Sequence, residues 1–162
     1  MIHKKQRKYY PADDVMQGRT DEEIKFGTIV YAAKLKVTKA RMHILEALSH
    51  FDRPISIKEL SATPLLKEHN IVTLYRTLET LATARLVRKV SFGAAGATES
   101  LYETNVGRPH HHHIVCTSCG MMEDIDACAH IPSPRTLAIK GFAKITDHSL
   151  EFFGLCKKCA MI

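Results

Sequence analysis

No apolar run in the 162 residues approaches the roughly 18 needed to cross a bilayer, so no membrane-spanning helix is expected. The basic start, Met1 to Tyr10, is not followed by the apolar stretch of a secretory signal, and a cytoplasmic location is expected. There is no internal repeat and no low-complexity tract, which leaves out solenoids and disordered scaffolds. No HExxH pattern occurs, so a zinc hydrolase built on a helix lacks its ligand pair and its base. Five cysteines are too few and too unevenly placed for a disulfide framework.

What is present is uneven. The formal charge is +6, with 17 Lys and Arg against 12 Asp and Glu through Thr104, and 6 against 5 afterwards. A basic first two thirds suits a polyanion, because each cation that meets a phosphate releases counterions. Four cysteines form two CxxC pairs, Cys116/Cys119 and Cys156/Cys159. Thiolates are soft ligands suited to tetrahedral zinc, and two intervening residues let one turn offer both sulfurs. A site of four sulfurs is closed, so its expected role is structural. Cys128 stands outside both pairs and reads as a small buried hydrophobe.

Ten histidines include the run His110-His111-His112-His113. In an extended chain alternate side chains face opposite ways, so His110 and His112 would serve one site and His111 and His113 another. Imidazoles completed by carboxylates suit iron, zinc, nickel or manganese.

Local signals give the element order. Thr20 with Glu23 and Ser56 with Glu59 are capping boxes. The first should open a helix to about Leu35. Thr38 should cap a second helix carrying Ile44, Leu45 and Leu48, and Ser56 a third, cut short by Pro64. Asn70 should cap a fourth, with Leu74, Leu78 and Leu81 at helical spacing. Val87 to Phe92 and Ser100 to Thr104 flank a small-residue turn at Gly93 to Gly96 and read as a hairpin. Helices followed by a hairpin make a winged helix-turn-helix, with the fourth helix reading DNA. Strands are expected at His113 to Val115, Met121 to Ile125 and Leu150 to Leu155. The expected class is α+β. A basic arm covers 1–19, a winged-helix DNA-binding domain 20–105 and a hinge 106–109. A small α/β dimerisation and metal-binding domain with a four-cysteine zinc site covers 110–162.

The stretch His110 to Gly120, reading HHHHIVCTSCG, resembles the signature of the ferric uptake regulator family of metal-dependent repressors. Ile71 to Leu78 is similar to the family's recognition helix, and Leu35 to Leu45 to its second helix. Thr146 to Leu150 and Gly154 to Cys156 match its last strands, so the resemblance spans about residues 20 to 160. It implies a homodimeric repressor on palindromic double-stranded DNA, with structural Zn(2+) and a regulatory divalent ion. Fe(2+) is the first choice; Zn(2+) or Mn(2+) sensing, or peroxide sensing, are the alternatives within the family.

The resemblance also implies site residues. Tyr75, Arg76 and Thr73 would face the major groove and Lys36 the minor groove. Glu103, His111 and His113 match a sensing site that straddles the hinge. His110, His112 and His148, with Asp124, match a second site in the dimerisation domain. Two departures stand out. The family's histidine before the third helix is Arg53 here, with His50 as a nearby substitute. The carboxylate expected near Ile131 is missing, leaving Asp124, Cys128 or His130 to replace it. Outside the family, a zinc-ribbon interaction module without sensing explains the cysteines but neither the histidine run nor Tyr75-Arg76.

Overall fold

A computed structural model of the chain describes residues 20–91, 99–126, 143, 145, 148 and 150–161. Helix α1, Asp21–Ala32, opens on Thr20. The Thr20 hydroxyl accepts from Glu23 N and the Glu23 carboxylate accepts from Thr20 N, both at 3.2 Å. Three acidic residues in the first turn complement the positive helix end. The helix stops short of the expected Leu35. Lys34 turns left-handed (φ 60°), Lys34 N donates to Tyr31 O, and Leu35 N donates to Val30 O. This is a Schellman closure with lysine where glycine is usual.

Helix α2, Lys39–Ser49, has Thr38 at its N-cap, but the Thr38 side chain makes no capping bond, contrary to expectation. Arg41 instead ties this entry by donating to Lys36 O. A two-residue strand β1, Ile55–Ser56, runs into α3, Ile57–Ser61, through the Ser56/Glu59 capping box. Helix α4, Ile71–Thr83, is capped by Asn70, whose side chain accepts from Val72 N at 2.8 Å. Its end repeats the α1 closure. Arg85 is left-handed (φ 59°), Arg85 N donates to Ala82 O and Leu86 N to Leu81 O.

Strands β2, Val87–Val90, and β3, Leu101–Thr104, pair antiparallel with Arg88 opposite Glu103. β1 adds to the other edge of β3, giving the order β1-β3-β2. The turn expected at Gly93 to Gly96 lies outside the described residues. Phe26, Leu45, Leu48, Leu74, Leu78 and Leu81 fill the space between helices and sheet, almost wholly excluded from water. Each such side chain contributes roughly 1.5–3 kcal/mol.

A second sheet follows, order β5-β4-β6. The central strand β4, His112–Cys116, pairs antiparallel with β5, Met122–Ile125, and parallel with β6, Glu151–Gly154. One turn of helix, α5, Lys157–Ala160, ends the described chain. Val90 and Leu101 of the hairpin pack on Val115 and Met122 of the second sheet, so the sheets share a small apolar contact beside the linking segment 106–109.

Candidate metal sites and nucleic-acid interface

β4 carries Cys116 to the end of the sheet, a turn returns Cys119, and the register Cys116–Gly154 places Cys156 and Cys159 beside them. The four sulfurs lie within 4.8 Å of one another. Cys119 Sγ and Cys156 Sγ are 3.8 Å apart, the edge of a tetrahedron of ~2.3 Å zinc–sulfur bonds. All four are free thiols. Backbone N–H groups of Cys156 and Cys119 point at Cys116 Sγ and bring its pKa down to about 6. Cys159 is pushed up to about 12: a bond with the Ser118 side chain lowers it, but proton sharing with Cys156 and Cys119 overrides that. A dication would be needed to hold all four as thiolates, and the donor set fits zinc.

The histidine run alternates as an extended chain must. His111 and His113 turn toward the wing, where Glu103 waits on β3. His111 Nε2 lies 3.2 Å and His113 Nε2 3.1 Å from Glu103 Oε2. All three residues are buried, Glu103 at 1% exposure. Burial raises the Glu103 carboxyl, but bonds and charge from His113 and His111 outweigh it and hold the group below the usual carboxylate range. Its Oε1 is buried with no hydrogen-bond donor, a vacancy in bonding that a cation would fill. His111 Nδ1 sits 2.9 Å from Pro109 O. Donating there leaves the Nε2 lone pair for a metal, the usual way a ligand imidazole is oriented. This trio fits a divalent ion.

Asp124 is not where the sequence reading put it. Antiparallel register sets it opposite His113, with Oδ1 3.5 Å from His113 Nε2, so it flanks the Glu103 group and does not join His110, His112 and His148. Arg53 is engaged with the Glu59 carboxylate and Pro54 O. His50 is exposed at the C-cap of α2 and is not among the converging ligands. Unforeseen in the sequence, Arg108 and Arg88 both face Glu103: Arg108 Nη1 lies 3.7 Å from Oε2 and Arg88 Nη1 3.9 Å from Oε1.

His110, His112 and His148 do converge, with His110 Nε2 3.1 Å from His112 Nε2 and 3.2 Å from His148 Nε2. Burial first, then the neighbouring imidazoles and Arg88, lower the His112 pKa. Yet Leu150 N donates to His112 Nδ1 at 3.2 Å. A neutral ring accepting there would carry its proton on Nε2, the atom facing the cluster. A metal on that nitrogen would have to break the Leu150 bond or strip the ring of its last proton. The ligand atoms of His110, His112 and His148 nonetheless lie within 4.8 Å of one another, close enough to hold one ion. Cys128, His130 and Ile131 lie outside the described residues.

Thr73, Tyr75 and Arg76 stand exposed on α4 while Leu74 and Leu78 bury the other face. Ile71, Val72 and Tyr75 are 44%, 53% and 48% exposed. An apolar and aromatic strip on a helix start, next to Arg76 and with Lys36 also exposed, is suited to a groove. Among the described residues no helix is long and apolar enough to cross a membrane.

Residues 32–153 match the ferric uptake regulator family. The chain belongs to that family. It is 31% identical to the ferric uptake regulation protein of Campylobacter jejuni over 140 residues, 83% of this chain and 86% of that one. Its fold is similar to that of the Vibrio cholerae ferric uptake regulator, with TM-score 0.60 and 31% identity over 80% of this chain and 98% of the other. It is similar also to the Francisella tularensis regulator solved with iron, with TM-score 0.60 and 25% identity over 78% of this chain and 95% of the other. Members of the family are transcriptional regulators of metal homeostasis that bind DNA and form dimers. The α+β architecture, a winged helix followed by a small sheet with a thiol cluster, is that of a ferric uptake regulator.

Proposed function

We propose that this chain is an iron-type repressor, working in the cytoplasm as a homodimer on a palindromic operator. In this reading residues 20–105 bind DNA, 106–109 form the hinge, 110–162 dimerise and 1–19 form a basic arm. Cys116, Cys119, Cys156 and Cys159 hold a structural zinc. The regulatory ion sits at Glu103, His111 and His113, with Asp124 as the adjacent carboxylate. Tyr75, Arg76 and Thr73 contact the major groove and Lys36 the minor groove.

One observation carries the reading. The buried Glu103 belongs to the wing, His111 and His113 to the segment after the hinge, and their ligand atoms lie within 4.8 Å of one another. An ion bridging them would restrict how the two sheets swing and so fix the separation of the two α4 helices of a dimer. The ion must bind the DNA-competent shape better than the open one, because equal affinity for both shifts nothing. Iron is favoured by the two carboxylates available to two imidazoles, a harder donor set than thiolate, and by the similarity to the iron-bound Francisella regulator.

The test is operator affinity of the parent and of a His111→Ala, His113→Ala double variant, titrated in turn with Fe(II), Mn(II) and Zn(II) while the cysteine site stays loaded. The parent should gain about 5- to 150-fold, the usual scale of such coupling, with Fe(II) most effective at matched free concentration, and the variant should gain nothing. An equal gain in both proteins would move sensing away from the hinge.

A further inference from the structure

Arg108 lies in the linking segment itself, two residues before the histidine run. Its guanidinium reaches three separate parts of the molecule. Nη2 pairs with Asp124 on β5. Nη1 lies 3.7 Å from Glu103 Oε2 on β3. Nη2 also donates to Asp52 O, 3.4 Å away in the loop after α2. The side chain is only 21% exposed. Glu103 Oε2 is also the oxygen that both His111 and His113 face, and Asp124 flanks His113. The guanidinium therefore already occupies the carboxylate pair that a divalent ion would need.

Both cations cannot be held there together. Arginine stays charged at any relevant pH. Two carboxylates facing two guanidiniums, Arg108 and Arg88, leave no net negative charge for an incoming dication. In a partly dry site the repulsion between that ion and a guanidinium ~4 Å away is strong. The bonding of the pair is also imperfect. Arg108 Nη1 and Glu103 Oε1 are both buried without a hydrogen-bond partner, so the contact is held by charge more than by geometry and is open to displacement. Arg88 is less free to leave, since it also donates to His111 O at 3.1 Å and to His148 O at 3.4 Å.

We propose that Arg108 is a built-in competitor of the regulatory ion, which must expel the guanidinium from Glu103 and Asp124 before it can bind. The inference rests on the assignment of Glu103, His111 and His113 as the sensing site. It gives the hinge a cation of its own and makes metal entry and rearrangement of residues 106–109 one event. It also makes Arg108 a determinant of the metal threshold without being a ligand.

The experiment uses the full-length, zinc-loaded protein with His110→Ala and His148→Ala to silence the second cluster. Co(II) is titrated against a chelator of known affinity and read by visible absorption. Arg108→Gln should bind Co(II) about 10- to 100-fold more tightly than the parent, the scale on which groups around a metal site act. Arg108→Lys, which keeps the charge, should stay close to the parent. Unchanged or weaker binding in Arg108→Gln would overturn the proposal. A His113→Ala control separates the two ideas. If it leaves the parent's Co(II) affinity intact, the sensing-site assignment itself fails, and the competition with it. If it abolishes binding while Arg108→Gln changes nothing, only the competition fails. A second measurement needs no variant at Arg108. Modification by phenylglyoxal, located by mass spectrometry, should be slow at Arg108 in the Co(II)-free protein and fast once Co(II) is bound. Continued protection of Arg108 with the ion bound would also overturn the proposal.

Discussion

Cys116 and Cys159 show what a single residue contributes when its partners are distant in sequence. Cys116 Sγ is cradled by backbone N–H groups and ionises easily, whereas the Cys159 thiol is pushed up to about 12. Either becomes a full ligand only with the ion present. Replacing Cys116 or Cys159 with Ser should release one zinc per chain and dissociate the dimer, because structural zinc supplies folding energy directly. Metal analysis and sedimentation check this; one retained zinc and an intact dimer in both variants would refute it. Arg76 lies on the exposed face of α4, and Arg76→Ala should cost ~1–3 kcal/mol of operator affinity and relax preference at one base step. Lys36→Ala should weaken binding more evenly across sequences. Competition binding on operators substituted one base at a time tells the two apart. Thr20, Ser56 and Asn70 were readable as caps because a cap is a bond between near neighbours. Arg108 was not, since its partners Asp52, Glu103 and Asp124 converge only in three dimensions.

At the scale of the element, helix starts were easier to read than helix stops. The two left-handed closures fall on Lys34 and Arg85, where no glycine marks them. Their signal was the apolar pair that each closure brings together, Val30 with Leu35 and Leu81 with Leu86, since those residues pack in one core. A left-handed lysine costs about 1–2 kcal/mol relative to its ordinary conformation, and glycine pays back part of the relief in chain entropy. Lys34→Gly should therefore raise stability by ~0.5–1 kcal/mol, and a lower urea midpoint would contradict it. The α3 entry is a second case. The Arg53 guanidinium beside Glu59, with further bonds from Ser56, holds the Glu59 carboxyl below the usual carboxylate range despite some burial. A carboxyl whose folded pKa is depressed stabilises the fold above its unfolded pKa of about 4.3 and loses that contribution as pH falls through the folded value. The pair is about half exposed and screened by solvent, so Glu59→Gln should cost only ~0.2–1 kcal/mol at neutral pH, with the difference from the parent vanishing well below pH 4. Urea unfolding of both proteins at pH 7 and pH 3 measures it, and a difference that persisted at the acid end would count against the assignment. β1 escaped the sequence reading because two residues, Ile55 and Ser56, carry no period; only their pairing with Tyr102 and Leu101 makes them a strand.

Over the whole molecule, charge and symmetry set what the protein can do. The positive excess lies before Thr104, on the part that carries α4, while the thiols and the histidine run lie on the second sheet. A dimer through the second sheet would present two α4 helices, which calls for half-sites about one turn apart, ~10 bp. Operator affinity should fall steeply with salt, as each phosphate contact releases counterions. A salt titration on operators of varied half-site spacing, beside sedimentation of the free protein, tests this; a stable monomer with flat salt dependence would contradict it. In the proposed reading the metal response would depend on the same geometry, because Glu103 and His113 belong to different sheets that touch through Val90, Leu101, Val115 and Met122.

The sequence alone determined much of what depends on near neighbours or on residue type, though not the idle Thr38 side chain or the closures at Lys34 and Arg85. It determined the caps at Thr20, Ser56 and Asn70, the alternation of His110 to His113, the buried stripe of Leu74, Leu78 and Leu81, and the four-sulfur chemistry of the CxxC pairs. The resemblance already grouped Glu103 with His111 and His113, but only the tertiary structure decided where Asp124 goes. Asp124 lies beside the Glu103 group and not the second cluster because cross-strand register, not spacing along the chain, puts it opposite His113. The bond at His112 Nδ1 comes from Leu150, 38 residues away. A long-range hydrogen bond or ion pair has no local period or propensity to announce it, and the contacts around Glu103 are of that kind.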